Sequence, residues 1–216
     1  MQHADYVALL RAGVPNPGGV WADFGSGQGA YTLALAELIG AGSTLYSIDR
    51  DAGVLAAQAK QMASKFPDVQ LHPITADFML PLQPALPPLD GLVMANALHV
   101  VPQHEKAALI KLLKSYLKPG GRWLLVDYNV DHGNSWVPYP AAYATWEALA
   151  RECGFEQTRL VATHPDNFLK EVYAAEAVTA QPPAPAPPAA KPPVPKAKPP
   201  VAKKKAATPR SSHPKA

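Results

Sequence analysis

Cysteine is almost missing: Cys153 is the only one in 216 residues. A single thiol excludes an intrachain disulfide framework and a Cys-rich zinc site, and it fits a reducing compartment. Long apolar runs are missing as well. With no stretch of about 18 apolar residues, no segment is expected to span a membrane. The opening Met1-Gln-His-Ala-Asp-Tyr has neither the basic start nor the apolar run of a signal peptide. Together these absences lead to the expectation of a cytoplasmic protein.

Acidic residues are missing from one segment only. Residues 181–216 contain twelve of the 25 prolines, seven Lys and one Arg, but no Asp or Glu. That segment carries +8 of formal charge while the whole chain carries +3, so residues 1–180 are net −5. The pI near 8.9 therefore belongs to the tail, and a nucleic-acid reading drawn from the overall pI would mislead. Two regions follow: a domain over 1–180, and a Pro/Ala/Lys-rich segment over 181–216. The latter has too little aromatic and branched apolar surface to fold, so disorder is expected there. Lys203, Lys204 and Lys205 offer non-specific contact with nucleic acid or an anionic surface, or simply solubility.

Within 1–180, apolar runs alternate with helical patterns. Strands are expected at Gly19–Phe24, Thr44–Ile48, Val69–Ile74, Gly91–Ala95 and Trp123–Tyr128. Helices are expected at Tyr31–Ile39, Asp51–Lys65, Gln103–Leu117 and Ala141–Cys153, with Gly40, Pro67, Lys118-Pro-Gly-Gly121 and Gly154 as stops. Phe155–Ala162 and Leu169–Val178 read as closing strands, joined too closely to be parallel to one another. Repeated strand–helix units imply an α/β domain with a mostly parallel sheet and helices on both faces.

The chemistry-bearing signal is Asp23-Phe-Gly-Ser-Gly-Gln-Gly29, placed between a strand and a helix. Glycines there let a ligand approach the backbone, and the helix start offers free N–H groups. Gly25-Ser-Gly-Gln-Gly-Ala30 also satisfies the dinucleotide pattern G-x-G-x-x-A, with Asp49 twenty residues on as the ribose acid. Two acids argue against a nicotinamide enzyme. Asp23, ahead of the glycines, would repel a pyrophosphate and welcome an ammonium. Asp77, after the third strand, can accept from an adenine amino group.

Five segments in order carry a resemblance: Asp23–Gly29, Ser47-Ile-Asp49-Arg-Asp51, Ala76-Asp-Phe78, Asp90–His99 and Leu117-Lys-Pro-Gly-Gly121. Over roughly residues 4–178 the chain resembles class I S-adenosylmethionine-dependent methyltransferases. It is most similar to the bacterial small-molecule branch that includes the ubiquinone/menaquinone-type, type 11-like enzymes. The resemblance implies a Rossmann-like, seven-stranded sheet of order 3-2-1-4-5-7-6, with S-adenosylmethionine as cofactor. It implies that Gly25, Gly27 and Gly29 frame the methionine end, with Asp23 near its ammonium. Asp49 would take the ribose hydroxyls, Arg50 would flank the adenine, and Asp77 and Phe78 would hold its amino edge. Asn96 would lie beside the sulfonium. On the bland reading, a strand-end Asp merely caps a helix and Arg50 is a solvated surface residue.

On the acceptor side, His99 has a suitable unperturbed pKa for a general base; it also reads as a pocket wall or a structural histidine. Tyr128 and Asn129 end the fifth strand. Trp136, Tyr139 and Tyr143 lie in a polar, aromatic segment that could fold over an acceptor or simply cap a helix. Several chemistries are set aside. An Asp/Asn-Pro-Pro-aromatic signature is missing after Asn96, Cys153 falls in a late helix, and arsenic chemistry needs several thiols. Asp127, Asn129 and Asp131 match a divalent-metal site poorly, and no metal is expected. The leading expectation is methyl transfer to a small organic acceptor. The alternatives are an RNA or protein methyltransferase recruited through the tail, and a non-catalytic S-adenosylmethionine-binding scaffold.

Overall fold

The computed structural model describes residues 1–181, so the expectations for the 181–216 tail lie outside the described residues beyond its first position. In chain order the elements are α1 His3–Arg11, β1 Val20–Phe24, α2 Ala30–Ile39, β2 Thr44–Asp49, α3 Ala52–Lys65, β3 Gln70–Thr75 and β4 Leu89–Ala95. They continue with a one-turn 3-10 helix at Leu98–Val100, α4 Lys106–Lys114, β5 Leu117–Tyr128, α5 Tyr143–Glu152, β6 Gln157–Asp166 and β7 Lys170–Val178.

The seven strands form one sheet of order β3-β2-β1-β4-β5-β7-β6. β1 to β5 run parallel, and β7 is antiparallel to both β5 and β6. The fold is thus the Rossmann-like class I methyltransferase architecture that the motifs imply. The chain winds outward from β1 to β3, then restarts on the other side of β1 with β4. That reversal opens a crevice beyond the carboxyl ends of β1 and β4, where open α/β sheets bind ligands.

Each face of the sheet has its own core. One packs Phe24, Met94, Trp123 and Leu125 against Leu109, Leu113 and Trp146 of α4 and α5. The other packs Leu45, Val93 and Val126 against Leu33, Leu35 and Ile39 of α2, with α1 and Met62 of α3 alongside. Full burial of each such Leu or Ile contributes about 1.5–3 kcal/mol against chain entropy. Between the antiparallel strands, the buried Glu176 carboxylate is bracketed by the Arg122 and Arg159 guanidiniums.

Element bounds shift by a few residues, α4 starting at Lys106 instead of Gln103 and β6 running over Gln157–Asp166 instead of Phe155–Ala162, and three details differ more. First, α1 was not expected. α2 is apolar almost all round, with Tyr31, Thr32, Leu33, Ala34, Leu35 and Ala36 all buried, so it needs cover on the side away from the sheet. α1 supplies it through Leu9, Leu10 and an edge-to-face contact of Tyr6 on Tyr31 at 4.9 Å. Second, α4 ends at Lys114 instead of Leu117. Third, Leu117–Gly121 belongs to β5: Leu117 pairs with Leu89, then the register shifts and Arg122 pairs with Gly91. The glycines make an irregularity within a strand, where a turn had been expected.

Candidate functional site

Two strand ends and one loop build the cleft where the sequence places a donor. After β1 the chain turns sharply through Gly25, whose φ is +74°. A Cβ there would lie 2.7 Å from the Ala97 Cβ, so only glycine lets this turn pack against the segment following β4. Gly29, at φ +83°, opens α2, and a Cβ on it would meet Gln58 Cγ at 2.3 Å. The loop is pinned from behind by a buried polar network. Gln58 Nε2 donates to the Gly27 carbonyl at 2.8 Å and to Ser26 Oγ at 3.0 Å. Ser47 Oγ lies 2.7 Å from Ser26 Oγ and 2.6 Å from Gln58 Oε1. These residues hold the loop shape from α3 and β2. Gln58 was not singled out in the sequence, because nothing local marks one Gln in an Ala/Gln/Lys helix as the buried one.

At the end of β2, Asp49 accepts from Gly27 N at 2.9 Å and from Asp51 N at 3.0 Å. The capping role falls to Asp51, which accepts from Gly53 N and Val54 N at the start of α3. Asp49 is therefore not the helix cap. Beyond it lies a cleft of roughly 430 Å³ whose walls include Gly25, Asp49, Arg50, Asp77, Phe78 and Asn96. Six of the nine residues expected at the cofactor thus share one cavity. Gly27 and Gly29 shape it from outside its lining. Asp77 accepts from Met79 N at 2.9 Å through one oxygen. Phe78 lies against Gly25 and Arg50 is exposed.

Asp23 lies within β1, 1% exposed. Its Oδ2 accepts from Thr32 Oγ1 at 2.7 Å, while its Oδ1 has no partner. Burial raises its pKa from 3.8 to about 7; the Thr32 hydroxyl opposes the rise and the neighbouring Asp49 charge adds to it. An ionised carboxylate buried with an oxygen unpaired is costly, and Asp23 is not among the residues that line the cleft.

A second cleft of roughly 330 Å³ is lined by Asn96, His99, Tyr128, Trp136, Val137 and Phe168. Asn96, at φ +51°, is a wall of both clefts. Asn is among the few residues that tolerate such a backbone. His99 sits in the 3-10 turn that follows. It is 6% exposed, its Nδ1 lies 2.6 Å from Asp127 Oδ1, and its backbone N donates to Asp127 Oδ2 at 3.1 Å. Asp127 is the penultimate residue of β5, so one carboxylate holds both the ring and the backbone of His99. With Nδ1–H given to the carboxylate, Nε2 is the nitrogen left to accept a proton.

The other expected acceptor residues lie elsewhere. Asn129 donates to Glu171 at 2.7 Å and accepts from Tyr143 N at 3.0 Å, tying β5 to β7 and to the start of α5. Tyr143 stacks edge-on against Tyr173 at 6.0 Å. Tyr139 gives its carbonyl to Lys106. None of these three lines the cleft. Asp131 accepts from Ala142 N and Thr145 Oγ1, so Asp127, Asn129 and Asp131 point to separate partners. Among the described residues, no group of three or more His, Cys, Asp or Glu is gathered for a metal.

Sequence reasoning missed Phe168 and the fully buried Lys106. The Lys106 ammonium bonds the Leu98 carbonyl at 3.0 Å and that of Tyr139, stitching the His99 turn to the loop that carries Trp136. Burial lowers its pKa from 10.5 to about 8, opposed by the nearby Asp127 charge. In the sequence Lys106 reads as one more polar residue at a helix start. No helix among the described residues is long and apolar enough to cross a membrane.

With this geometry in place, known proteins can be compared. Residues 22–121 match the family model described as "Methyltransferase domain". No curated protein matches at the level of sequence. Among solved structures, magnesium protoporphyrin IX methyltransferase from Synechocystis PCC 6803, with bound S-adenosylmethionine, aligns at 20% identity and TM-score 0.59. It covers 82% of this chain and 78% of its own. The 1,6-didemethyltoxoflavin-N1-methyltransferase of Burkholderia thailandensis, with 1,6-didemethyltoxoflavin and S-adenosylhomocysteine bound, aligns at 16% identity and TM-score 0.64, over 83% and 78% of the two chains. An arsenic(III) S-adenosylmethionine methyltransferase from Chlamydomonas reinhardtii aligns at 16% identity and TM-score 0.63, over 78% and 65%.

Proposed function

We propose that this chain, which carries a methyltransferase domain on the S-adenosylmethionine-dependent class I fold, transfers a methyl group to a small organic acceptor at the His99 end of its crevice. One observation carries the reading: a cleft lined by Asp49, Asp77 and Phe78 meets a second cleft containing His99, and Asn96 is the wall they share. The residues present fit the donor. Asp23 Oδ1 would take its ammonium, Asp49 its ribose hydroxyls, and Asp77 and Phe78 its adenine. When bound, the donor supplies an activated methyl group on a sulfonium.

The chain's own task is then positional. Asn96 and the 3-10 turn fix the line between the two clefts, and His99 Nε2 takes the acceptor's proton while Asp127 holds the ring. Thiol-assisted chemistry of the kind suggested by an arsenic-methylating neighbour has no support here. Cys153, the lone thiol, packs in the core with its pKa raised by burial. The branch within the family, quinone-type or another, goes with the identity of the acceptor.

The test offers methyl-labelled donor to the full chain together with small-molecule extract, total RNA or total protein. Label is expected in the small-molecule fraction. His99→Ala should lower the chemical step, leave donor affinity unchanged and remove one limb of the pH–rate profile. Label in RNA would favour the reading in which residues 181–216, with their charge of +8, deliver a macromolecule. An intact profile with a raised acceptor KM would make His99 a wall and not a base.

A further inference from the structure

The acceptor cleft carries more information than its position. Its six lining residues include His99, Tyr128, Trp136 and Phe168, and none carries a fixed charge. Trp136 is 77% exposed and Phe168 51%, which is costly for large apolar rings unless something covers them. Neither stands on a loose tether. The Trp136 and Val137 amides both donate to Asn134 Oδ1, at 2.8 and 2.9 Å, and Asn134 N donates back to the Val137 carbonyl at 3.0 Å. Val137 is 2% exposed and anchors this turn from below. Phe168 and Leu169 are held in the same way by Asp166 Oδ1, at 2.8 and 3.0 Å. Tyr128 stands between the two sides, 5.8 Å edge-to-face from Phe168 and 5.7 Å from the His99 ring. Two braced turns therefore present flat apolar faces around a buried His–Asp pair.

We infer that the acceptor is a small planar aromatic molecule bearing an ionisable hydroxyl, received between Trp136 and Phe168 with that hydroxyl toward His99 Nε2. This deepens the methyl-transfer reading and rests on it. Flat aromatic faces gain about 0.5–1.5 kcal/mol per ring contact beyond area burial. A cleft of roughly 330 Å³ suits a one- or two-ring ligand. Nucleic acid fits less well, since the lining has no Lys or Arg to meet a phosphate. In the transfer, the hydroxyl proton moves to His99 Nε2 and an oxygen–carbon bond forms to the methyl group. The carbon–sulfur bond breaks with its electron pair left on sulfur, giving S-adenosylhomocysteine. Asp127 is the positioning residue, holding the imidazole with Nε2 free.

The protein has a built-in reporter. Of its four tryptophans, Trp21, Trp123 and Trp146 are at most 3% exposed, so acrylamide reaches Trp136. The full chain, saturated with S-adenosylhomocysteine, is titrated with naphthols and hydroxyquinolines, and in parallel with their fully saturated alcohol counterparts. Acrylamide quenching of the fluorescence lifetime is followed throughout. Aromatic probes should protect Trp136 severalfold, at concentrations at least tenfold below those of the saturated alcohols. By calorimetry, Trp136→Ala and Phe168→Ala should each weaken the aromatic probes about tenfold and leave S-adenosylhomocysteine unaffected. Asp127→Asn should lower the turnover of any methylated probe by two orders of magnitude or more with its affinity unchanged.

The S-adenosylhomocysteine heat on the same sample separates the two levels. Its absence sinks the donor reading. If it is present but no aromatic probe protects Trp136, or saturated alcohols do as well, or an oligonucleotide protects better than any phenol, the inference is overturned.

Discussion

The unpartnered oxygen of Asp23 sets up a prediction with a definite size and sign. Raising its pKa from 3.8 to about 7 means that ionising it in the empty domain costs about 4 kcal/mol more than in water. Between pH 4 and 7 the folded state therefore binds a proton that the unfolded state has released. The empty domain should lose stability as pH rises across that window. A donor ammonium brought to Oδ1 favours the carboxylate, so binding below pH 7 must expel the proton. Affinity for S-adenosylhomocysteine should then fall by about tenfold per pH unit below 7, roughly twentyfold between pH 7.5 and 5.5. Adenosine lacks the ammonium and should show no such slope. Asp23→Asn keeps an acceptor for the Thr32 hydroxyl without a charge. It should melt higher at neutral pH, bind the donor about ten- to a hundredfold more weakly, and lose the pH dependence. Calorimetry at four pH values with both ligands reads all of this. Flat affinity for S-adenosylhomocysteine, or an equal slope for adenosine, would refute the reasoning.

Further substitutions probe the residues that hold the two clefts in shape, with one exposed control. Asp49→Ala removes the ribose acceptor and the anchor of Gly27 N, and should weaken donor binding about ten- to a hundredfold in calorimetry while the fold survives. Gln58→Ala removes the side-chain partner of the Gly27 carbonyl and one partner each of the Ser26 and Ser47 hydroxyls. It should cost roughly 2–4 kcal/mol in urea unfolding and loosen donor binding, whereas Lys60→Ala on the exposed side of α3 should cost under about 0.5 kcal/mol. Lys106→Met leaves two carbonyls without a donor and should cost about 1–3 kcal/mol at pH 7. With a folded pKa near 8 against 10.5, the wild-type lysine is charged and fully penalised below pH 8. The stability of the wild type relative to the variant should rise between pH 8 and 10.5, as read by urea unfolding at pH 7 and 9.5.

The parallel core of the fold was readable because β1, β2, β4 and β5 each hold a short apolar run ended by a glycine, an acid or an asparagine, a local pattern. That Gly25, Asp49 and Asp77 gather at one cleft was readable for the same reason: each sits at a strand end, and the topology alone brings strand ends together. What escaped was non-local. α1 is a short helix whose order comes from covering α2, and only the all-round apolarity of α2 hinted at it. The Pro119-Gly-Gly121 punctuation marked a register shift inside β5, because pairing with β4 outweighed the local turn signal. His99 was visible as a histidine near a strand end. Its pairing with Asp127, 28 residues away, depends on the 3-10 turn that β4 feeds. Asn129 illustrates the converse: a polar residue at the right strand end is turned aside by Glu171 on β7, a neighbour no local pattern reveals.

The central claim, that the crevice receives an adenosylated methionine and not a dinucleotide, has a direct test in titration calorimetry of the full chain. The ligands are S-adenosylmethionine, S-adenosylhomocysteine and NAD, each at pH 7.5. The account predicts saturable heat with both methionine ligands at one site per chain, abolished together by Asp23→Asn with Asp49→Ala, and no comparable heat with NAD. Micromolar NAD binding without heat from either methionine ligand would contradict it.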